Sequence, residues 1–67
     1  MMTPEEVKQR VQDIRDSVSD DETAHSMEDD LYFDVLASIA AGLCSDPAKC
    51  AEEATKTAEI DFARWCA

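Results

Sequence analysis

The most apolar stretch of the chain, residues 31–44, has the spacing of a helix. At ~100° per residue, its apolar side chains cover roughly two thirds of a helical wheel. Asp34 and Ser38 mark the narrow strip that is left for water. A helix on the surface of a bundle usually buries a narrower stripe. The pattern therefore predicts a central helix over about residues 20–42 that neighbouring helices cover from two sides.

The start of this central helix is marked twice in the sequence. Ser19 with Glu22, and Ser26 with Asp29, each have the spacing of a capping box, in which side chains bond the first backbone amides. Residues 20–27 are therefore either an exposed first section of the helix or a loop. We favour the helix, because acidic side chains near its start are stabilised by the positive end of the helix dipole.

A first helix is predicted over residues 3–18. Thr3 is a suitable N-cap with Glu6 three residues later, and Pro4 suits the first helical position. Apolar residues then recur at helical spacing, at Val7, Val11, Ile14 and Val18. A single narrow stripe of this kind is typical of a helix that packs on a neighbour with one face and contacts water with the other.

A third helix is predicted over residues 47–57. Gly42 suits the end of the central helix, because glycine readily adopts the left-handed conformation that stops a helix. Asp46 followed by Pro47 suits the start of the next helix, with Asp46 as its N-cap.

The third helix supplies little apolar area to a core. Its apolar stripe consists of alanines, at Ala48, Ala51, Ala54 and Ala58. We therefore expect Ile60, Phe62 and Trp65 to close the core instead. A short helical turn over residues 61–66, with Asp61 as its N-cap, is predicted to hold two of these side chains.

No strand is predicted in the chain. The sequence has one Gly, no hairpin turn and no run in which apolar and polar residues alternate. The predicted fold class is all-α, a three-helix bundle with a short C-terminal helical turn, in a single domain over residues 1–67. A domain of this size buries only about 60% of the surface of its unfolded chain, which leaves little room for an active-site cleft.

The formal net charge of −10 is concentrated in the middle of the chain. Residues 16–48 contain nine acidic side chains and no Lys or Arg, whereas seven acids and six bases nearly cancel outside that stretch. Such a field disfavours nucleic acid and anionic membranes, which bind through Lys and Arg. It favours a partner protein with a basic or mixed surface. The acids that we expect to form the partner-binding surface are Asp20, Asp21, Glu22, Glu28, Asp29, Asp30 and Asp34.

Three aromatic side chains are candidate anchors for such a partner, namely Tyr32, Phe33 and Trp65. Phe33 lies at the edge of the apolar arc, and we favour the interpretation that the third helix covers it. The central helix would then also bury Leu36 and Ile39. The alternative is that one of the aromatic side chains stays exposed among acids, which is a usual composition of a binding hot spot.

The residues that commonly bind metals do not have metal-ligand spacing here. Cys44, Cys50 and Cys66 together with His25 make a Cys₃His count, but the chain has no CxxC motif. Glu22 and His25 form a single ExxH, whereas helical di-iron sites use two. We therefore expect free thiols, no metal and no cofactor, with a disulfide between Cys44 and Cys50 as the alternative. With one histidine and no nucleophile–base pair, no enzymatic activity is expected.

Two features predict a cytoplasmic protein with no membrane partner. The nearly uncharged run over residues 35–45 is too short to cross a bilayer and begins too far into the chain to be a signal peptide. The odd cysteine count agrees with thiols that stay reduced inside a cell.

Residue pairs spread over the last two thirds of the chain carry a resemblance to a known family. They are His25-Ser26, Glu28-Asp29, Leu31-Tyr32, Val35-Leu36, Ile39-Ala40 and Asp46-Pro47, followed by the closing IDFARWCA over residues 60–67. In these positions the chain resembles small proteins encoded by bacteriophages of actinobacteria and by related prophages. The resemblance implies a phage product in the host cell. That family has no assigned activity, so no functional residue is transferred from it.

Charge and resemblance together predict a phage accessory protein, a small acidic interaction module that binds a host or phage protein through residues 20–34. Two alternatives stay open. A DNA-mimic inhibitor would place carboxylates in the nucleic-acid site of a binding protein, although the acids here are distributed around the helical wheel rather than in two rows. A structural homo-oligomer, at its simplest a homodimer, would bury exposed aromatic side chains between copies of the chain.

Overall fold

The computed structural model describes residues 1–64, whose backbone forms three helices and a short 3₁₀ turn. The elements are α1 (Pro4–Arg15), α2 (Asp21–Ala40), α3 (Pro47–Thr55) and the 3₁₀ turn (Lys56–Glu59). Each helix contacts the other two. This architecture is the predicted all-α three-helix bundle with a short helical turn near its C-terminal end, and the prediction is confirmed.

The core lies where the three helices meet and continues into the segment that follows α3. Its buried apolar side chains are Val7, Val11, Ile14, Ala24, Leu31, Val35, Cys50, Ala54, Ile60 and Phe62. The predicted apolar stripe of α1 is buried from Val7 to Ile14. Ile60 and Phe62 close the core as expected, whereas Trp65 lies outside the described residues.

Side-chain caps fix the starts of the three helices. The Thr3 hydroxyl accepts a hydrogen bond from the Glu6 amide at 3.2 Å, and the predicted cap Asp46 begins α3. The cap of α2 is Asp20 rather than the predicted Ser19, because the Asp20 carboxylate accepts from both the amide and the hydroxyl of Thr23. Residues 21–27 are therefore helical, which confirms the favoured interpretation of this section.

The end of α1 comes earlier than the sequence predicts. The helix stops at Arg15 instead of residue 18, because the Ser17 amide donates to the Ile14 carbonyl and the Ser17 hydroxyl donates to the Asp13 carbonyl. These bonds turn the chain toward α2. Val18, the last position of the predicted stripe, is consequently exposed.

Gly42 ends α2 in a Schellman motif. Its φ of 72° lies in the left-handed region. The Gly42 amide donates to the Ile39 carbonyl at 3.1 Å, and the Leu43 amide donates to the Ser38 carbonyl at 2.8 Å. These two bonds satisfy carbonyls that the end of a helix would otherwise leave unpaired.

The chain before α1 is held against the loop that joins α2 to α3. The Met2 amide donates to the Leu43 carbonyl at 2.8 Å, and the Ser45 amide donates to the Met2 carbonyl at 2.9 Å. Met2 and Cys44 thereby form an isolated parallel bridge. This contact fixes the middle of the α2–α3 connection, residues 43–45, to the segment just before α1.

One face of α2 is left uncovered, which corrects the predicted burial of this helix. Its buried positions lie on a single stripe, at Ala24, Glu28, Leu31 and Val35. Leu36 is 67% exposed and Phe33 is 70% exposed, while Ile39 is partly buried. The prediction that Leu36 and Phe33 lie in the core is therefore wrong. Both α1 and α3 pack along the same stripe, and the small side chains of α3 do not reach around α2.

The final helical turn also lies earlier than predicted. It follows α3 directly, at Lys56–Glu59, whereas residues 61–64 are not helical. Asp61 therefore caps no helix within the described residues, and the remainder of the predicted turn at 61–66 lies outside them. The 3₁₀ turn redirects the chain so that Ile60 and Phe62 return to the core.

We expect Gly42→Ala to lower the free energy of unfolding by about 1 kcal/mol, because alanine pays a backbone penalty in the left-handed region. No neighbouring atom lies within 4 Å of an added Cβ, so the cost is conformational and not steric. Gly42→Asn is the matched variant and should lose less, since asparagine tolerates this conformation. Urea denaturation followed by circular dichroism measures both. Equal losses for the two variants would contradict this account.

Candidate functional site

The acids of the predicted partner-binding surface fall into two groups. Glu28 and Asp34 make ion pairs with arginines from other parts of the fold. The others are exposed, and they are Asp20, Asp21, Glu22, Asp29 and Asp30. The second group is the part of the prediction that the structure leaves open to a partner.

Glu28 does not lie on this surface. Only 5% of the residue is exposed, and its carboxylate accepts two hydrogen bonds from Arg64. Arg64 Nε donates to Oε1 at 2.9 Å, and Arg64 Nη2 donates to Oε2 at 3.1 Å. This two-bond geometry is the strongest arrangement available to an arginine and a carboxylate. The placement of Glu28 among the surface acids is therefore wrong.

Arg64 joins α2 to the segment after α3. Besides pairing with Glu28, its Nη2 donates to the carbonyls of Thr57 at 2.7 Å and Ile60 at 3.0 Å. The guanidinium carbon lies 3.8 Å from the centroid of the Phe62 ring, close enough for a cation–π contact. We call this arrangement of Glu28, Arg64 and the two carbonyls the Glu28–Arg64 clasp.

The clasp keeps Glu28 ionised. Burial opposes the charge, but hydrogen bonds from Arg64 and Thr57 and the charge of Arg64 outweigh it, so the pKa of Glu28 lies below its ordinary value. The hydrogen bond to Glu28 likewise raises the pKa of Arg64. Both groups are therefore charged at neutral pH, and the pair is a structural feature of the fold.

Asp34 and Asp20 also have structural roles. Asp34 accepts from Arg10 Nη1 at 2.9 Å, which links α2 to α1 across a partly exposed ion pair. The Thr23 amide, followed by the Thr23 hydroxyl, lowers the pKa of Asp20, as expected for a helix cap. Asp29 lies 3.5 Å from His25 Nε2. The acids with no such role in holding elements together are Asp21, Glu22, Asp29 and Asp30.

The candidate aromatic anchors have different environments. Phe33 projects from the uncovered face of α2, beside Leu36. Tyr32 is partly buried, and its hydroxyl shares a hydrogen bond with the Thr57 hydroxyl. Trp65 lies outside the described residues. Phe33 is thus the aromatic residue that the structure leaves accessible, although we favoured the core for it on sequence.

A groove opens between α2 and α3 next to this face. It has a volume of about 340 Å³. Its walls are formed by Tyr32, Val35, Leu36, Ala51, Ala54 and Thr55. The groove exists because α3 presents alanines to α2, and their short side chains leave the space between the two helices unfilled. We refer to it as the α2–α3 groove.

Cys44 and Cys50 are free thiols at the end of the molecule where α3 begins. Cys50 is fully buried and Cys44 is partly buried. Burial, followed by the hydrogen bond and charge of Cys44, raises the pKa of Cys50 to about 11. Cys50 is therefore a protonated core residue and not a nucleophile. Among residues 1–64, no group of three or more His, Cys, Asp and Glu side chains is arranged to hold a metal ion.

The burial of Glu28 is the feature that the sequence analysis missed. Its signal was present, because Ala24, Glu28, Leu31 and Val35 repeat the i, i+4, i+7, i+11 spacing of the α1 stripe. A carboxylate on a buried stripe requires a cation, since an unpaired charge is costly to bury. Arg64 is that cation, 36 residues away along the chain.

Comparison with known proteins gives no family for this chain. No family model matches it, and neither a curated protein nor a solved structure does. In residues 1–64 no helix combines the length and the apolar character needed to span a bilayer.

We expect Arg64→Met to lower the free energy of unfolding by about 2–3 kcal/mol, because it leaves the Glu28 carboxylate buried without a partner. This is a large share of the stability of a domain this small. Arg15→Met removes an exposed arginine at the end of α1 and is the control, with an expected change within about 0.5 kcal/mol. Urea denaturation at pH 7 measures both. A similar loss for the two variants would show that the clasp adds little.

The clasp also predicts a pH dependence. Because the folded pKa of Glu28 lies below its ordinary value of 4.5, its contribution is fully present above pH 4.5 and is lost as the pH falls through the folded pKa. We expect the free energy of unfolding of wild type to exceed that of Glu28→Gln by about 2 kcal/mol at pH 7. This difference should disappear in acid, where Glu28 is protonated. Denaturation at a series of pH values tests this, with Glu22→Gln as the exposed control on the same helix. A gap that is constant with pH would refute the role of the Glu28 charge.

Proposed function

We propose that this protein is a small acidic interaction module that binds a partner protein with a basic or mixed surface through the uncovered face of α2. The observation that carries the proposal is the composition of that face. Phe33 and Leu36 are exposed there, and Asp29 and Asp30 are exposed one turn earlier on the same helix. Apolar anchors surrounded by charged residues are characteristic of protein-binding sites.

The charge distribution supports a partner of opposite sign. The chain carries a net charge of −10, and no Lys or Arg lies between residues 16 and 48. Of the arginines outside that stretch, Arg10 and Arg64 are already paired with Asp34 and Glu28. An acidic field of this kind accelerates association with a basic surface and weakens with salt, because the Debye length shrinks to about 8 Å at physiological ionic strength.

The resemblance to actinobacteriophage proteins supports a phage origin for this module. We include in the proposal that it is a phage accessory protein acting in the host cytoplasm on a host or phage protein. A homo-oligomer is the second candidate, because the exposed Phe33 and Leu36 would also be buried between two copies. Its weakness is electrostatic, since each copy would bring a net charge of −10 to the contact.

The test compares the proteins that wild type and two charge-neutralised variants each capture from an actinobacterial lysate. The first removes the four exposed acids without structural roles, as Asp21→Asn, Glu22→Gln, Asp29→Asn and Asp30→Asn. The second removes the three acids of α1 and the acid at its C-cap, as Glu5→Gln, Glu6→Gln, Asp13→Asn and Asp16→Asn. Each variant loses four negative charges, two of them from a first helical turn, so the pair is matched in net charge.

We expect the α2 variant to lose the proteins that wild type retains at low salt, by about tenfold or more, and the α1 variant to keep most of them. Quantitative mass spectrometry of the retained proteins measures this, after circular dichroism has shown both variants folded. Equal retention by wild type and the α2 variant would refute the proposal. Equal losses for the two variants would show that only net charge matters and would refute a defined surface.

A further inference from the structure

The α2–α3 groove has the form of a site for a helix. Both of its walls are helices, and four of the six side chains that line it are apolar. Addition of a β-strand requires an exposed sheet edge, and residues 1–64 contain only the single bridge between Met2 and Cys44. The backbone groups of both walls are engaged inside their helices. What the groove offers a partner is therefore apolar contact, which is how a helix binds in a groove between two others.

The charges along the groove are acidic on the α2 side. Three residues of α2 lie on one side of the helix because they are spaced seven residues apart, about two turns. They are Glu22, Asp29 and the groove residue Leu36. Both of these carboxylates are exposed. An incoming helix that inserts apolar side chains beside Leu36 would thus run past two acids.

The α3 side of the groove carries balanced charges and no free base. Glu52 precedes the wall residue Thr55 by three positions and is exposed. The two lysines of this region are directed to acids, since Lys49 Nζ lies 3.5 Å from Glu52 and Lys56 Nζ lies 2.9 Å from Glu53. The net charge beside the groove is therefore that of the exposed acids of α2, and it complements a basic ligand.

We propose that the α2–α3 groove binds the apolar face of a basic amphipathic helix belonging to the partner protein. This inference rests on the proposed function and names the chemistry of its partner. The apolar residues of the ligand helix, spaced at i, i+3 or i+4, enter the groove between Leu36 and Ala51. Its Lys and Arg side chains lie over Glu22 and Asp29.

A second copy of this chain is a poorer occupant. Its most apolar helix, α2, contains no Lys or Arg and would bring its own acids against Asp29 and Glu52. Its α1 helix does carry bases, but its apolar residues Val7, Val11 and Ile14 are already buried in the core. Neither helix presents an apolar face together with free basic side chains.

The experiment uses two synthetic peptides as probes. The first is a lysine-rich peptide of about 18 residues with leucines at helical spacing, long enough for measurable helicity. The second has the same composition in an order that spreads the leucines around the helix, so that its charge is identical. Fluorescence anisotropy measures binding of each peptide to the full-length protein at low and physiological salt. We expect the amphipathic peptide to bind at least tenfold more tightly than the scrambled one.

The protein variants separate the groove from the rest of the uncovered face. Leu36 lines the groove, whereas Phe33, on the same helix and equally exposed, does not. We expect Leu36→Ser to weaken binding of the amphipathic peptide about tenfold and Phe33→Ser to weaken it less than threefold. Because both side chains are mostly exposed, neither substitution should unfold the protein. In ¹⁵N NMR spectra, the peptide should shift the amides of Val35, Ala51 and Ala54 on both walls.

Four outcomes would overturn the inference. Equal binding of the two peptides would show that charge alone is recognised, and the proposed acidic surface would stand without the groove. Absence of binding by either peptide would exclude this ligand, while partner capture by the α2 acids tests the proposed function separately. Equal losses at Leu36 and Phe33 would place the site on the whole face. A dimer in sedimentation that Leu36→Ser dissociates would make a second copy the occupant.

Discussion

The Glu28–Arg64 clasp is the interaction on which the arrangement of this bundle depends. The three helices alone leave the core open beyond Ala54, because α3 is only nine residues long and the only apolar side chains that it buries are the small ones of Cys50 and Ala54. Ile60 and Phe62 fill that opening, but they belong to an irregular segment that no helix holds in place. Arg64 fixes the segment by bonding its carbonyls and by pairing with a carboxylate on the buried stripe of α2. The charged pair therefore fixes the position of the segment that contains Ile60 and Phe62. Burial of these two apolar side chains supplies most of the free energy that stabilises the segment.

The short α3 also explains the surface. A third helix with leucines in place of its alanines would fill the space beside Tyr32 and Val35 and cover Leu36. Since α3 presents alanines, the same feature that lets its backbone approach the core leaves a groove and an uncovered apolar face on α2. In a domain this small, which has a small core, the largely exposed Phe33 and Leu36 contribute little to folding. Their exposure is the property that a partner-binding role accounts for.

The exposed acids and the exposed apolar side chains lie close together on α2. The acids that hold the fold together, Asp20, Glu28 and Asp34, are satisfied by Thr23, Arg64 and Arg10. The exposed acids of α2 lie before its apolar half, so the negative charge that would attract the proposed basic partner lies close to Phe33 and Leu36. In the proposed complex, this proximity would combine rapid electrostatic association with a short-range apolar contact that slows dissociation.

Local rules in the sequence determined the helices of this protein. The caps at Thr3 and Asp46, the stop at Gly42 and the stripe from Val7 to Ile14 depend on neighbours a few residues apart, and each was predictable for that reason. Tertiary structure alone decided which part of the apolar arc of α2 is buried, because a helical wheel records hydrophobicity and not the size of the helix that packs on it. It also decided how Glu28 is stabilised. The position of Glu28 on the buried stripe can be seen in the sequence, but the cation that pairs with it is Arg64, 36 residues away. The groove has the same origin: it is a gap between two helices, and a gap between side chains distant in sequence follows only from how their helices pack.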